Sequence, residues 1–306
     1  MRVLISGGTG LIGRALTRAL VDRGDEVVIL SRSPQRHAAH LPQGVQLLAW
    51  DGRTPTGWGE IVNTVDAVVN LAGANIAEGR WTAARKRVIR ESRLHAGHAL
   101  VEAIRNATSK PRVLIQASAV GYYGPRGDEI VTEDTPPGSD FLAQLAVEWE
   151  ASTREVEAWG IRRPIIRTGV VLSMEGGALP RMLPPFKLGL GGPLGNGRQW
   201  FPWIHMADEV GAILFLLDRE DAHGPYNLSA PNPVRNEEFT RALGEILHRP
   251  TLFRVPAFAL RLLFGEMATV LLEGQRAIPR RLLDEGYTFR YEDVRSALRA
   301  LLEGER

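Results

Sequence analysis

Over the first two-thirds of the chain, short and continuously apolar segments alternate with longer stretches whose apolar residues recur every three or four positions. Arg2–Ser6 is such a short segment and stops at glycines. Leu11–Arg23 then repeats Leu11, Ile12, Ala15, Leu16, Ala19 and Leu20 at helical spacing, and Gly24 ends the run. Glu26–Leu30, Val45–Trp50, Ala67–Leu71 and Arg112–Ala117 are compact and mostly apolar. Hydrophobicity that runs on without alternating is expected of strands covered on both faces of a parallel sheet. The stretches between them, Trp81–Ala107 above all, are helical in pattern. A helix over Asp140–Trp159 and strands at Arg163–Thr168 and Pro225–Leu228 continue the series. Parallel neighbours need right-handed crossovers, so the pattern predicts an α/β fold with a doubly wound, Rossmann-type parallel sheet.

The texture changes twice. Gly176–Pro202 is rich in Gly and Pro, and a loop of that length in a compact domain usually serves function; residues 173–204 are expected to form a substrate-side loop. Asp208 is expected to cap the helix that follows. From Asn236 onward the sequence predicts several short helices and no strand pair. The expected division is a nucleotide-binding domain over 1–230 and a small, mainly helical C-terminal domain over 231–306.

Composition narrows the field. The 306 residues include no cysteine, which excludes disulfides, thiolate metal sites and a cysteine nucleophile. No apolar run reaches the roughly 18 residues of a membrane helix, because Arg261 and Glu266 interrupt Val255–Leu272. The apolar core Val3–Ile5 is too short for a signal peptide. The expectation is a cytoplasmic protein with no membrane partner. With 37 basic and 35 acidic residues, nucleic acid is not an expected partner either. The cluster Arg80, Arg85, Lys86, Arg87, Arg90 and Arg93 reads as a solvated helix face, with a nucleic-acid surface and contact to a cofactor phosphate as alternatives. His37 and His40 lack partners at ligand spacing, so no metal site is expected.

The strongest local signal is the turn Gly7-Gly8-Thr9-Gly10-Leu11-Ile12-Gly13 between a strand and a helix. Glycines at 7, 10 and 13 permit a tight turn, close approach of a pyrophosphate to the backbone, and close contact between helix and sheet. The helix N-terminus then offers free N–H groups to phosphate. At the end of the second strand an acidic residue would hold the ribose hydroxyls of NAD. This chain has Ser31 and Arg32, which suit the 2′-phosphate of NADP(H). Asp51 is placed to accept from the adenine amino group, and Leu71, Ala72 and Gly73 to pass beneath the cofactor.

These motifs, with Ser118 followed by Tyr122-Tyr123-Gly124, resemble the extended short-chain dehydrogenase/reductase superfamily. More narrowly, the chain is similar to its epimerase-like branch, often described as sugar-nucleotide-epimerase-like proteins. That likeness rests on Ser31-Arg32, Arg80-Trp81, Ser92-Arg93, Trp149-Glu150, the run Arg167–Leu172, Gly191–Gly195 and Trp203-Ile204-His205. Residues from about 249 to 297, with Leu271-Leu272-Glu273-Gly274-Gln275, resemble that branch's C-terminal domain of unassigned function. The resemblance implies an NADP-binding fold and adds Arg93 and Val171 to the residues expected around the cofactor.

One departure from the superfamily matters more than the match. Its reductases and epimerases use Tyr-x-x-x-Lys on the helix after the serine, the lysine tuning the phenol for proton exchange. Aligning Glu150 with the superfamily's glutamate puts Leu142 and Ala146 at those places, and neither transfers a proton. The only lysines are Lys86, Lys110 and Lys187, so no other such pair exists. Ser118, expected to polarise a substrate oxygen, and Tyr122, expected to supply the proton, are the remaining catalytic candidates. Tyr123 reads as a loop-packing residue, and His205 as an orienting hydrogen-bonder at a helix start. Arg93 and Arg167 each read either as a contact to the cofactor or an anionic substrate, or as a structural ion pair. Two functions follow: an NADP(H)-dependent oxidoreductase or epimerase-like enzyme on a small polar carbonyl or hydroxyl substrate, or a non-catalytic NADP(H)-binding sensor or scaffold. A second copy of the chain, giving a homodimer, is an open expectation.

Overall fold

The computed structural model describes residues 1–304. Seven strands, Arg2–Ser6, Glu26–Ser31, Gln46–Ala49, Ala67–Asn70, Val113–Ala119, Pro164–Thr168 and Gly224–Leu228, form one sheet. Numbered along the chain, their order is 3-2-1-4-5-6-7, and every pairing is parallel. The order reverses between the first and fourth strands, and in such sheets the crevice outside the strand C-termini at that point takes ligands.

The continuous hydrophobicity of the strands has the expected cause. Successive residues of the first strand enter opposite cores: Ile5 joins a cluster with Leu16 and Leu20 of the helix Leu11–Asp22, whereas Leu4 joins Leu100 and Ile104 of the helix Ala83–Asn106. Both faces are therefore covered. Asp140 caps the helix Phe141–Ala151 by accepting from the Ala143 N–H at 2.8 Å. Helix geometry stops there, and a 3-10 segment at Arg154–Trp159 replaces the single long helix expected to Trp159.

Three other expectations are corrected. The Gly/Pro-rich segment contains a helix, Leu179–Lys187, which places Leu179, Leu183 and Phe186 in a core with Phe239 and Leu243. That buried stripe outweighs the disfavour of Pro184 and Pro185 within the helix. Asp208 is not the cap of the helix Met206–Asp218. His205 is, with its Nδ1 accepting from the Ala207 N–H at 3.0 Å. The buried Asp208 carboxylate instead accepts the N–H groups of Arg290 (2.6 Å) and Tyr291 (3.0 Å). Finally, one strand does occur after Asn236, Arg276–Ala277, which pairs in parallel with Ile130–Val131; Val234–Arg235, just before Asn236, pairs antiparallel with Trp200–Phe201.

Candidate nucleotide-binding site

The glycine turn is sterically closed on the protein side and open outward. Gly7 has φ +77°, and a Cβ there would stand 2.7 Å from the Leu71 backbone. A Cβ on Gly13 would stand 2.3 Å from the Gly7 carbonyl oxygen, so only glycine lets the helix lie this close to the strand. Gly10 meets just that carbonyl, at 3.2 Å, so its other side faces open space. The helix Leu11–Asp22 starts at Gly10 with no side-chain cap and no acidic residue in its first turn. Its first N–H groups and positive dipole end are thus available to an anion. Arg14, unremarked in the sequence reading, donates to the Thr9 carbonyl at 3.1 Å and braces the turn.

At the end of the second strand Ser31 is buried, and its Oγ accepts the Ser33 N–H at 3.2 Å. Arg32 is exposed and has no hydrogen bond or ion pair among the described residues. Asp51 has a structural task that was not anticipated. Its oxygens accept from the Arg53 and Thr54 N–H groups and the Thr54 hydroxyl at 2.7–2.9 Å. Those backbone hydrogen bonds hold the carboxyl below its usual range.

Beyond the fourth strand, Leu71 and Ala72 lie against the glycine turn, and Gly73 lies against Arg93, where a Cβ would come within 2.9 Å of the guanidinium carbon. Arg93 donates to the carbonyls of Ala74 (3.1 Å) and Ile89 (2.9 Å) and lies over the Trp149 ring at 4.7 Å. Its Nε is buried without a partner, and no carboxylate pairs with it among the described residues. Burial, with the nearby Arg85 charge, lowers its pKa to about 10. A desolvated cation without a counter-ion beside Gly73 fits a ligand that brings its own negative charge. The rest of the arginine-rich helix face behaves differently: Arg85, Lys86 and Arg90 pair with Glu78, Glu266 and Glu148. Val171 lies on a short strand, Val170–Leu172, that pairs with Trp203–His205. Leu11 faces Gly176 and Gly177.

After the fifth strand the geometry departs from the role expected of Ser118. Its buried hydroxyl donates to Glu150 Oε1 at 2.7 Å. Glu150 in turn receives Arg167 through Nε (2.9 Å) and Nη2 (3.1 Å), a two-pronged ion pair inside the protein. Burial alone would lower the Arg167 pKa, yet the Glu150 carboxylate raises it, so the guanidinium stays charged. Arg167 also donates to the Tyr123 hydroxyl (3.1 Å), which donates to Asn227 Oδ1 at 2.6 Å. Burial pushes the Tyr123 phenol up to about 12. Tyr122 lies flat against the same guanidinium, 3.5 Å from ring centroid to Cζ, and its hydroxyl has no partner among the described residues. Leu142 is half-buried and Ala146 buried at the places of the missing pair. Trp81 and Trp203 are buried in the core. No cluster of three or more metal-ligating side chains occurs among the described residues.

A parallel sheet with order 3-2-1-4-5-6-7, and a glycine turn at its switch point, define a Rossmann-type dinucleotide-binding fold. Residues 3–229 match the NAD dependent epimerase/dehydratase family, and residues 255–301 match a domain of unknown function, DUF1731. The chain belongs to that epimerase family. It is 44% identical over 297 residues to the epimerase family protein Mb2239 of Mycobacterium bovis, covering 97% of this chain and 96% of that one. It is 40% identical over 303 residues to mouse epimerase family protein SDR39U1, covering 98% and 99%. The crystal structure of human SDR39U1 (isoform 2) with NADPH superposes with a TM-score of 0.90 at 38% identity over the full length of both chains. UDP-glucuronic acid 4-epimerase from Bacillus cereus shares the fold, with a TM-score of 0.81 at 17% identity over 99% and 98% of the two chains.

Proposed function

We propose that this protein is an NADP(H)-dependent oxidoreductase of the epimerase-like kind. It acts on a small polar carbonyl or hydroxyl compound held between the sheet's C-terminal edge, in a nucleotide-binding domain over 1–230, and the smaller domain over 231–306. The observation that carries the cofactor is Arg32, an exposed guanidinium without an acidic partner at the end of the second strand, where the 2′-phosphate of NADP(H) belongs. The uncapped helix behind Gly10 would hold the pyrophosphate, and Arg93 would give its unmatched charge to the same ligand. Human SDR39U1, crystallised with NADPH, supports this reading.

When bound, the dinucleotide supplies or accepts the hydride. The chain's own task is to bind, to orient and to move one proton. Tyr122 is the group with an unengaged hydroxyl, and it would give its proton to a substrate oxygen. The charged Arg167 against its ring face holds that phenol in place. Ser118 could polarise the substrate only by turning its hydroxyl away from Glu150. As arranged, it is a positioning residue that secures the Glu150–Arg167 pair beneath Tyr122. Leu142 and Ala146 in place of tyrosine and lysine favour the second reading, an NADP(H)-binding sensor without turnover. A screen of carbonyl compounds for NADPH oxidation separates the two. Turnover that depends on Tyr122 establishes the enzyme, and its absence across the screen, with NADPH bound, favours the sensor.

A further inference from the structure

Two stretches of the chain, 181–200 and 246–265, contain no aspartate or glutamate, although the protein carries 35 acidic residues in all. Both are basic, with Lys187, Arg249, Arg254 and Arg261 exposed among them. The fold brings them side by side. The Arg249 Nε donates to the Lys187 carbonyl at 3.2 Å, Gly192 abuts the Phe253 carbonyl, and Leu194 bridges Val255. Pro256 then starts the helix Ala257–Phe264, which buries Leu260 and turns Phe258, Arg261 and Leu262 outward.

This face also carries the most exposed large apolar side chains of the molecule: Leu252 (83%), Leu262 (77%), Leu188 (74%) and Phe258 (72%), with Leu263 and Phe253 beside them. Apolar residues clustered at such exposure mark a contact surface. Three features select its occupant. Side chains this exposed stand out from the surface as knobs, which suits insertion into a soft apolar medium better than reception of a partner's side chains. Basic residues lie among them, neither stretch contains an acid, and Glu266 just past the second one is paired with Lys86. A second copy paired face to face would set these arginines against each other, because a twofold interface brings like patches together. Protruding leucines and phenylalanines among arginines and lysines match the interface of an anionic bilayer, apolar groups below the headgroups and cations among the phosphates.

We infer that the face built by residues 187–195 and 249–264 docks the protein onto anionic phospholipid surfaces as a peripheral contact. No helix among the described residues is long and apolar enough to cross a membrane.

Sedimentation of the full chain with vesicles tests this, using phosphatidylcholine alone and phosphatidylcholine with phosphatidylglycerol in equal parts. The protein should sediment with the anionic vesicles, stay in solution with the neutral ones, and be released as salt is raised. Leu262→Glu and Arg261→Glu, both at exposed positions and both checked for an intact fold by circular dichroism, should each weaken partition by about tenfold or more. Val88→Glu, at an exposed apolar site on the helix Ala83–Asn106, should not. Failure to sediment with anionic vesicles overturns the inference, as does undiminished binding by both charge variants. A dimer that Leu262→Glu dissolves, without lipid partition, assigns the face to a second copy and overturns it equally.

Discussion

The Ser118 hydroxyl and the Glu150 carboxylate are joined by a 2.7 Å hydrogen bond inside the protein, between the end of the fifth strand and the helix Phe141–Ala151. The bond completes a buried chain through Arg167 to Tyr123 and Asn227, so its members should behave as one stability unit. Glu150→Gln leaves the 4%-exposed Arg167 as a buried cation without its counter-charge and should cost about 3 kcal/mol or more. Ser118→Ala removes one charge-assisted hydrogen bond and should cost about 1.5 kcal/mol. Urea unfolding of the two variants checks this. If Glu150→Gln is as stable as the unmutated protein, the pair is not supporting the site.

Cofactor choice rests on Arg32. A guanidinium paired with a 2′-phosphate should make NADPH bind more tightly than NADH by about 1.5–3 kcal/mol. Arg32→Ala should remove most of that difference and leave NADH affinity nearly unchanged. Fluorescence titration of both nucleotides measures it, and equal affinities in the unmutated protein would remove Arg32 from the site.

The glycine turn makes a paired prediction, because its glycines serve different ends. A side chain at Gly10 meets open space on the protein side but would occupy the path of a pyrophosphate, so Gly10→Val should fold and fail to bind either nucleotide. A side chain at Gly13 collides with the Gly7 carbonyl and Gly8, so Gly13→Val should lose stability outright. Circular dichroism with isothermal titration separates the two. A folded Gly10→Val that binds NADPH normally would place the phosphates elsewhere.

That turn, the strands and the exposed place of Arg32 at a strand end were legible because each is a local pattern: three glycines at fixed spacing, unbroken apolar runs, a polar residue just past a strand. What was not legible depends on contacts across the chain. Asp208 has the residue type of a cap, yet its oxygens hold backbone N–H groups some eighty residues away, which no local pattern records. The helix Leu179–Lys187 was hidden by two prolines, although Leu179, Leu183 and Phe186 carried its period. Glu150 served the sequence reading as an alignment anchor; that it accepts the hydrogen bond of the Ser118 hydroxyl required knowing that the fifth and sixth strands set Ser118 beside Arg167. The ion-pair alternative for Arg167 could be framed from sequence, whereas its partner could not.

The buried Glu209 sets an alkaline limit on stability. It is 0% exposed, receives one hydrogen bond from Thr168 at 2.8 Å, and leaves Oε2 without a partner. Burial raises its pKa from 4.5 to about 8. Between those values the folded protein keeps a proton that the unfolded chain has released. Its contribution is therefore full below about 4.5 and is lost as pH rises through about 8, a change on the order of a few kcal/mol. Asp208 and Glu133 are raised by burial in the same direction. Glu209→Gln, which cannot ionise, should flatten this decline without abolishing it and should be the more stable form at pH 8. Urea midpoints across the window test the point, and an unchanged slope would mean that Glu209 is solvated.

The proton donor can be separated from its neighbour by two conservative variants. Tyr122 and Tyr123 lie edge to face, 5.4 Å between ring centroids, but only Tyr123 commits its hydroxyl inside the protein, to Asn227. Tyr122→Phe keeps the ring against Arg167, so stability and NADPH affinity should hold while carbonyl reduction falls by roughly 10²–10⁴-fold, the range for a positioned acid. Tyr123→Phe should instead cost about 1–2 kcal/mol of stability, because Asn227 and Arg167 lose a buried partner. Its turnover per folded molecule should stay close to that of the unmutated enzyme, since a phenol pushed up to about 12 and tied to Asn227 gives up its proton poorly. Steady-state kinetics on any substrate the screen yields, paired with thermal melts, reads both variants together. Intact turnover in Tyr122→Phe would pass the proton's source to Ser118 or to water.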